Sequence, residues 1–155
     1  MKYSAKGISL VFESCVTQSL FEFIQSDPRD PETGGQLFGV IDGSTVIVKA
    51  ATGPYKKDKQ SRKSYESCPT SAQKAIDYHL KLGFDYLGEW HTHPEGNPQA
   101  SSIDIKAMNS IIAKSKLRTN GLLLAIAGNS QSDFIINTWL IKSNSLIQLK
   151  LNNTS

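Results

Sequence analysis

Two histidines separated by one residue, His91 and His93, are followed at short range by Ser101 and Asp104. Side chains alternate across a strand, so residues at i and i+2 share a face and both rings point the same way. If Asp104 folds back onto that face, two imidazoles and one carboxylate converge. Such a donor set suits a catalytic zinc, because three protein ligands leave the fourth position of a tetrahedral ion open to water. A lone histidine is more often structural than ligating, and a His-x-His with a downstream aspartate also arises by chance, so the spacing alone leaves both readings open. Pro94 turns the chain away directly after the second histidine. Ser101 places a hydroxyl one helical turn from the carboxylate; its plainer role is a helix cap, which Ser102 can also supply. Glu89 has the strand parity of the histidines and is a candidate to orient an imidazole from behind. Glu95 reads as a solvent-exposed loop residue.

The elements that must position these groups are legible from periodicity. Phe84 to Trp90 reads as a strand that delivers the histidines at its end, and Pro94 to Ala100 as a polar loop. A helix runs from Ser101 or Ser102 to about Lys116, with Ile105, Met108, Ile111 and Ile112 inward. Asp104 then lies in its first turn, where the positive end of the helix dipole favours a carboxylate. Upstream, Ile8 to Glu13 is a short strand, and Val16, Leu20, Phe23 and Ile24 predict a helix from about Cys15 to Gln25. The segment Ser26 to Pro31 stops it, since its two prolines cannot continue a helix. The pair Gly34-Gly35 lets backbone approach a neighbour closely. Leu37 to Ile41 and Thr45 to Ala51 form a hairpin about Asp42-Gly43. Thr70 to Leu82 is a helix capped by Thr70 or Ser71, with Ala72, Ala75, Ile76 and Leu80 as its apolar stripe and Gly83 at its end. Leu122 to Ala127 is continuously apolar, as a central strand would be. Phe134 to Ile141 pairs with it through Gly128-Asn129, and Leu146 to Leu151 is an edge strand. This order predicts an α/β fold: a central mixed, largely antiparallel sheet flanked by helices.

A chain of 155 residues, 39% apolar and 20% charged, is expected to form one domain with a proper core. A formal charge of +3 is too small to argue for nucleic acid. Cys15 and Cys68 make neither a disulfide framework nor a Cys-rich zinc site, and read as buried thiols in a reducing cytoplasm. No apolar run has the length of a membrane span, and the first residues lack a signal-peptide core, so a cytoplasmic protein without a membrane partner is expected. Tyr55 to Ser64 holds Lys56, Lys57, Lys59, Arg62 and Lys63 against Asp58 alone. A charge run is most often a solvated face; its functional alternative is a docking loop for an acidic or polar partner.

The motif His91-Thr92-His93-Pro94, then Ser101 and Asp104, resembles the JAMM signature of the JAB/MPN metallopeptidases: His-x-His, seven residues, Ser, two residues, Asp. Those enzymes carry an upstream glutamate in a Glu-Thr-x-Gly-x-Leu-x-Gly setting, and Glu32 to Gly39 fits every defined position. The resemblance spans about Ile8 to Ile141 and implies a single JAB/MPN-like domain over residues 1–155. It implies Zn²⁺ on His91, His93 and Asp104, Glu32 as general base, and Ser101 as a donor to the oxyanion. Members cleave peptide or isopeptide bonds at the C-terminus of ubiquitin-like proteins, and some process sulfur carriers. The wording around the motifs is most similar to JAB proteins of bacterial anti-phage (CBASS) operons, which release the C-terminus of a nucleotidyltransferase (CD-NTase) from a target. The partner implied is a protein with an extended C-terminal tail. Three other readings stand beside this one. A nucleobase deaminase would need a Pro-Cys-x-x-Cys that the chain lacks. A non-catalytic MPN scaffold would be expected to have lost ligands, and none is lost. A nucleic-acid role rests on the basic loop alone.

Overall fold

The run Leu122 to Ala127 is apolar because both of its faces are covered. Leu123, Ala125 and Ala127 join one hydrophobic cluster, while Leu122, Leu124 and Ile126 join a second. The computed structural model describes residues 1–25, 27–117, 121–130, 133–143 and 145–153. Along the chain the elements are β1 (Lys2–Ala5), β2 (Ile8–Phe12), α1 (Ser14–Phe21), β3 (Gly34–Asp42), β4 (Thr45–Ala51), β5 (Lys59–Gln60) and β6 (Tyr65–Glu66). They continue as α2 (Pro69–Lys81), β7 (Asp85–Thr92), α3 (Ser102–Lys114), β8 (Leu122–Ser130), β9 (Asp133–Lys142) and β10 (Ser145–Leu151).

The main sheet is mixed and mostly antiparallel, as expected, but it closes into a barrel in the order β1-β10-β9-β8-β7-β3-β4-β2. The parallel pairs are β2 with β4 and β7 with β8. Closure depends on β1, which pairs with both β2 and β10 and is too short to announce itself by alternation. β10 is therefore not an edge strand. Two irregularities in β3, at Leu37/Phe38 against β7 and at Phe38/Gly39 against β4, sharpen the bend that closure needs. Tyr3, Leu10, Trp90 and Leu149 fill one cluster with Val16 and Leu20 of α1. On the other face of β8, α3 lays Met108, Ile111 and Ile112 against Leu124, Ile126 and Trp139.

Several local expectations shift for identifiable reasons. α1 ends at Phe21, and Phe23 leaves the helix to pack on Trp90 with ring centroids 5.7 Å apart. Ser26, the first residue of the predicted stop, lies outside the described residues. α2 begins at Pro69 without a side-chain cap, so neither Thr70 nor Ser71 caps it. Its buried side chain is His79, stacked on Phe38 at 4.0 Å with Nδ1 2.7 Å from the Ala75 carbonyl, whereas Leu80 of the predicted stripe is exposed. Gly128 and Asn129 are strand residues paired with Ile135 and Phe134, not a turn; residues 131–132, which join β8 to β9, lie outside the described residues. Cys15 is exposed rather than buried, and Cys68 is half-buried; both are free. Among the described residues no helix is long and apolar enough to cross a membrane.

Candidate metal centre

The site is assembled by the register of β3 on β7. Gly34 lies opposite His91 and Gly35 opposite Trp90, and the same alignment carried two residues on sets Glu32 against His93. The glycine pair is a steric requirement: a Cβ on Gly34 would lie 2.3 Å from the Trp90 carbonyl oxygen, and one on Gly35 1.6 Å from that of Thr52. Beyond β3 the pairing is carried on by Thr92, whose N–H donates to the Thr33 carbonyl at 2.8 Å and whose hydroxyl accepts from the Thr33 N–H at 3.0 Å. That hydroxyl donates in turn to buried Gln25, whose amide donates to the Asp30 carbonyl at 2.7 Å. The β5–β6 hairpin holds Glu32 from the other side. The Glu32 N–H donates to the Ser61 carbonyl at 2.8 Å, and the Gln60 amide donates to the Glu32 carbonyl at 3.0 Å.

Asp104 arrives from α3. Ser101 is the N-cap: its hydroxyl accepts from the Asp104 N–H at 3.0 Å, and the Asp104 carboxylate accepts from the Ser101 N–H at 2.8 Å. The Ser-x-x-Asp spacing is thus a reciprocal capping box, and it fixes the rotamer that turns Asp104 toward the histidines. Ser101, not Ser102, does the capping.

The five predicted site residues meet at one place. His91 Nε2 and His93 Nε2 are 3.1 Å apart, with Asp104 Oδ1 3.3 Å from the first and Oδ2 3.4 Å from the second. Glu32 Oε1 stands 3.6 Å from His93 Nε2. Ser101 lines the same cleft, of about 390 Å³, as Glu32 and His93. Donors held at ~2.0–2.2 Å from one tetrahedral ion lie about 3.3–3.6 Å from one another. The Asp104 spacings fall within that range, and the two imidazole nitrogens stand slightly closer than it. Charge fits as well, since the Asp104 carboxylate beside two ring nitrogens favours a cation among them. A second three-donor set exists: one atom each of Glu32, His91 and His93 lie within 4.8 Å of one another. The two sets differ in what else holds the carboxylate. Asp104 is locked by its cap, whereas Glu32 Oε2 is buried without a hydrogen-bond partner among the described residues.

Residues 20–142 match the pattern described as prokaryotic homologs of the JAB domain. The chain belongs to that family. Relatives include a CD-NTase/cGAS isopeptidase of Pseudomonas aeruginosa, 30% identical over 132 residues, covering 78% of each chain. A protein of the same description from Escherichia coli is 34% identical, over 63% of this chain and 65% of its own. A third, from Enterobacter hormaechei, is matched over 66% of its length, so the chain spans a little under two thirds of two of these relatives. A probable metalloprotease of Sinorhizobium fredii is 23% identical over 81% of each chain. A solution structure of a protein from Desulfitobacterium hafniense superposes with a TM-score of 0.68 at 20% identity, over 90% of this chain and 88% of that one, which shows the shared fold.

Within this JAB domain the buried charges pull on one another. Burial raises Glu32 to about 7, although His93 opposes the shift. Burial alone would lower His93, but Asp104 and Glu32 outweigh it and the imidazole is raised. Burial likewise opposes ionisation of Asp104, yet hydrogen bonds from His91 and His93 hold its carboxyl far below the usual range. The two nearby glutamates exchange the roles expected of them. Glu89 bonds to neighbours other than the imidazoles, accepting from the Tyr86 hydroxyl at 2.8 Å and the Gln36 amide at 3.0 Å, and burial raises it to about 7. Glu95 is exposed at its tip but sets Oε2 3.1 Å from His93 Nδ1. Reading Glu95 as a bystander missed this, because the Pro94 turn brings it back over the ring. A carboxylate on the far nitrogen fixes the tautomer in which Nε2 presents its lone pair inward. Glu95→Ala is expected to weaken Zn²⁺ affinity about tenfold, the low end of the range for such partners given its exposure. Competition against a fluorescent chelator measures it; unchanged affinity would make Glu95 an ordinary loop residue.

The polar residues behind the site were not foreseen. Gln36 accepts from the Tyr55 hydroxyl at 2.6 Å and donates to the Ser67 hydroxyl at 2.9 Å. The Tyr65 hydroxyl donates to Asp58 and accepts from the Ser67 hydroxyl. Each is a common residue at an unremarked position, and they meet where the segment from Tyr55 to Ser67 folds over Gln36 of β3. The one available signal was Asp58, a single acid among lysines.

Proposed function

We propose that this chain is a zinc-dependent isopeptidase that releases the C-terminus of a conjugated protein, the conjugate being one formed by a CD-NTase. The observation that carries the reading is the convergence, in one cleft, of a metal-compatible donor set and a buried carboxylate with an unpartnered oxygen. The descriptions of the relatives point to the conjugate. Residues 1–155 are assigned to one metallopeptidase domain.

His91, His93 and Asp104 would hold the ion. When bound, Zn²⁺ lowers the pKa of an attacking water toward neutrality and polarises the scissile carbonyl. Glu32 takes a proton from that water at Oε2, where no hydrogen bond competes, as oxygen bonds to the carbonyl carbon. It returns the proton to the nitrogen as the C–N bond breaks, so the products are a free carboxylate and a free amine. The Ser101 hydroxyl oxygen accepts from Asp104, which leaves its proton to donate to the developing oxyanion. The β3–β7 pairing and the α3 cap keep base and ligands in fixed relation, which is where orientation contributes.

The test is a purified CD-NTase joined through its C-terminal carboxyl to an acceptor lysine. The Zn²⁺-loaded protein is expected to release the nucleotidyltransferase with an intact C-terminal residue, and a chelator to stop the release until Zn²⁺ is restored. A conjugate left intact by metal-loaded protein contradicts the proposal.

A further inference from the structure

The basic loop from Tyr55 to Ser64 is not an unstructured solvated run. It contains β5, and Ser61 to Ser64 form the tight turn that returns to β6, with the Ser61 N–H donating to the Ser64 carbonyl at 3.0 Å and the two hydroxyls 2.8 Å apart. Arg62 and Lys63 are the two central residues of that turn, and both are exposed. They line the same cleft as Glu32, His93 and Ser101. Their placement relative to Glu32 is fixed, because Ser61 accepts from the Glu32 N–H at 2.8 Å and Gln60 donates to the Glu32 carbonyl.

The charge on this tip is uncompensated. Among the described residues neither Arg62 nor Lys63 has an ion pair. The acid within the loop is used elsewhere: Asp58 accepts from the Tyr55 N–H at 2.6 Å, the Cys68 N–H at 2.7 Å and the Tyr65 hydroxyl. Across the cleft, Glu95 is engaged with His93. Two adjacent cations held side by side repel each other unless an anion sits between them. A cleft of about 390 Å³ admits a short stretch of extended polypeptide. We infer that Arg62 and Lys63 form a subsite for an acidic side chain of the substrate tail. That side chain lies close to the scissile bond in sequence, because Arg62 and Lys63 share one cleft with Glu32 and His93. The inference rests on the peptidase reading given above and adds to it a sequence preference that the family motifs do not encode.

The experiment uses short internally quenched peptides sharing one scissile amide and carrying Glu, Gln or Lys at each flanking position in turn. Zn²⁺-loaded protein is expected to show a KM about tenfold lower for Glu than for Gln at one position, with kcat unchanged, equivalent to ~1.4 kcal/mol. The preference should shrink in high salt, because the pair is exposed and screened. The R62E/K63E protein should reverse it and favour Lys there, a swap that general damage to the turn cannot produce. Binding of the same peptides to Zn²⁺-loaded Glu32→Gln protein, followed by fluorescence anisotropy, reads the subsite without turnover. Equal handling of Glu and Gln by both assays, or a preference that survives charge reversal, overturns the subsite. Selective binding without any cleavage by the wild-type protein leaves the subsite standing and overturns the peptidase reading instead. If charge reversal abolishes only salt-dependent binding to a DNA duplex, the pair serves nucleic acid and the inference is wrong.

Discussion

Replacing Glu32 with alanine is expected to leave Zn²⁺ bound and to lower kcat by ~10²–10⁴-fold, the usual contribution of a positioned general base. The expectation follows from how differently the two carboxylates near the imidazoles are held. Asp104 is ionised and tied by its cap and by both histidines. Glu32 is 4% exposed, has one oxygen without a partner and is raised by burial to about 7. Two neutral-pH protonation states are what proton exchange requires, and what a permanent ligand does not. The sign of the pH dependence follows. Glu32 accepts a proton only as the carboxylate, so turnover falls as pH drops through its pKa. A bound cation favours the carboxylate and moves that fall below the value burial alone gives. Glu32→Gln keeps the shape and the backbone clamp from the β5–β6 hairpin, and should lose as much rate as alanine. Metal content by elemental analysis, read beside single-turnover rates, decides the matter. Loss of metal together with rate would make Glu32 a ligand, the arrangement that its spacing to His91 and His93 also permits.

Most of the donor set was legible because its chemistry is local. His91 and His93 share a strand face by parity, and Ser101 with Asp104 is a spacing that caps a helix whether or not a metal is present. Glu32 was a different problem. Nothing within a few residues links it to His93; the link is the β3–β7 register, and only resemblance to a family supplied it beforehand. The strands and helices were legible where apolar residues run together or recur at a helical period, as in β8 and α3. Closure of the sheet was not, since it depends on four residues, Lys2 to Ala5, whose only large apolar member is Tyr3. Parity also misled. Glu89 shares the face of the histidines yet bonds to Tyr86 and Gln36, because Tyr86 on β7 and Gln36 on β3, the latter held by Tyr55, offer it donors within reach. Glu95 was misread for the opposite reason: its contact is made by a loop that folds back across Gly128, where a Cβ would lie 2.3 Å from the Glu95 carbonyl oxygen.

His91→Ala and Asp104→Ala should each abolish turnover and weaken Zn²⁺ binding by more than the ~10–100-fold lost when an outer partner is removed. The two substitutions differ in what they do to the fold. His91 makes its contacts within the cluster, so its removal should leave the melting temperature of the metal-free protein nearly unchanged or slightly raised, two closely placed imidazoles having been reduced to one. Asp104 also accepts from the Ser101 N–H, so its loss costs helix stability, about 1 kcal/mol for a cap of this kind. Asp104→Asn separates the effects: the amide oxygen can still accept from Ser101, but the negative charge is gone. Stability should return with asparagine while metal affinity and activity do not. Thermal melts with and without Zn²⁺, together with chelator competition, distinguish the outcomes. In the wild type Zn²⁺ should raise the melting temperature, since it binds the folded state, and that rise should vanish in all three variants. If Asp104→Ala titrates Zn²⁺ like wild type while Glu32→Ala does not, the third ligand is Glu32. Asp104 then becomes a capping residue that neutralises the imidazoles, and the proton acceptor has to be sought elsewhere, with Glu95 the nearest remaining carboxylate to His93.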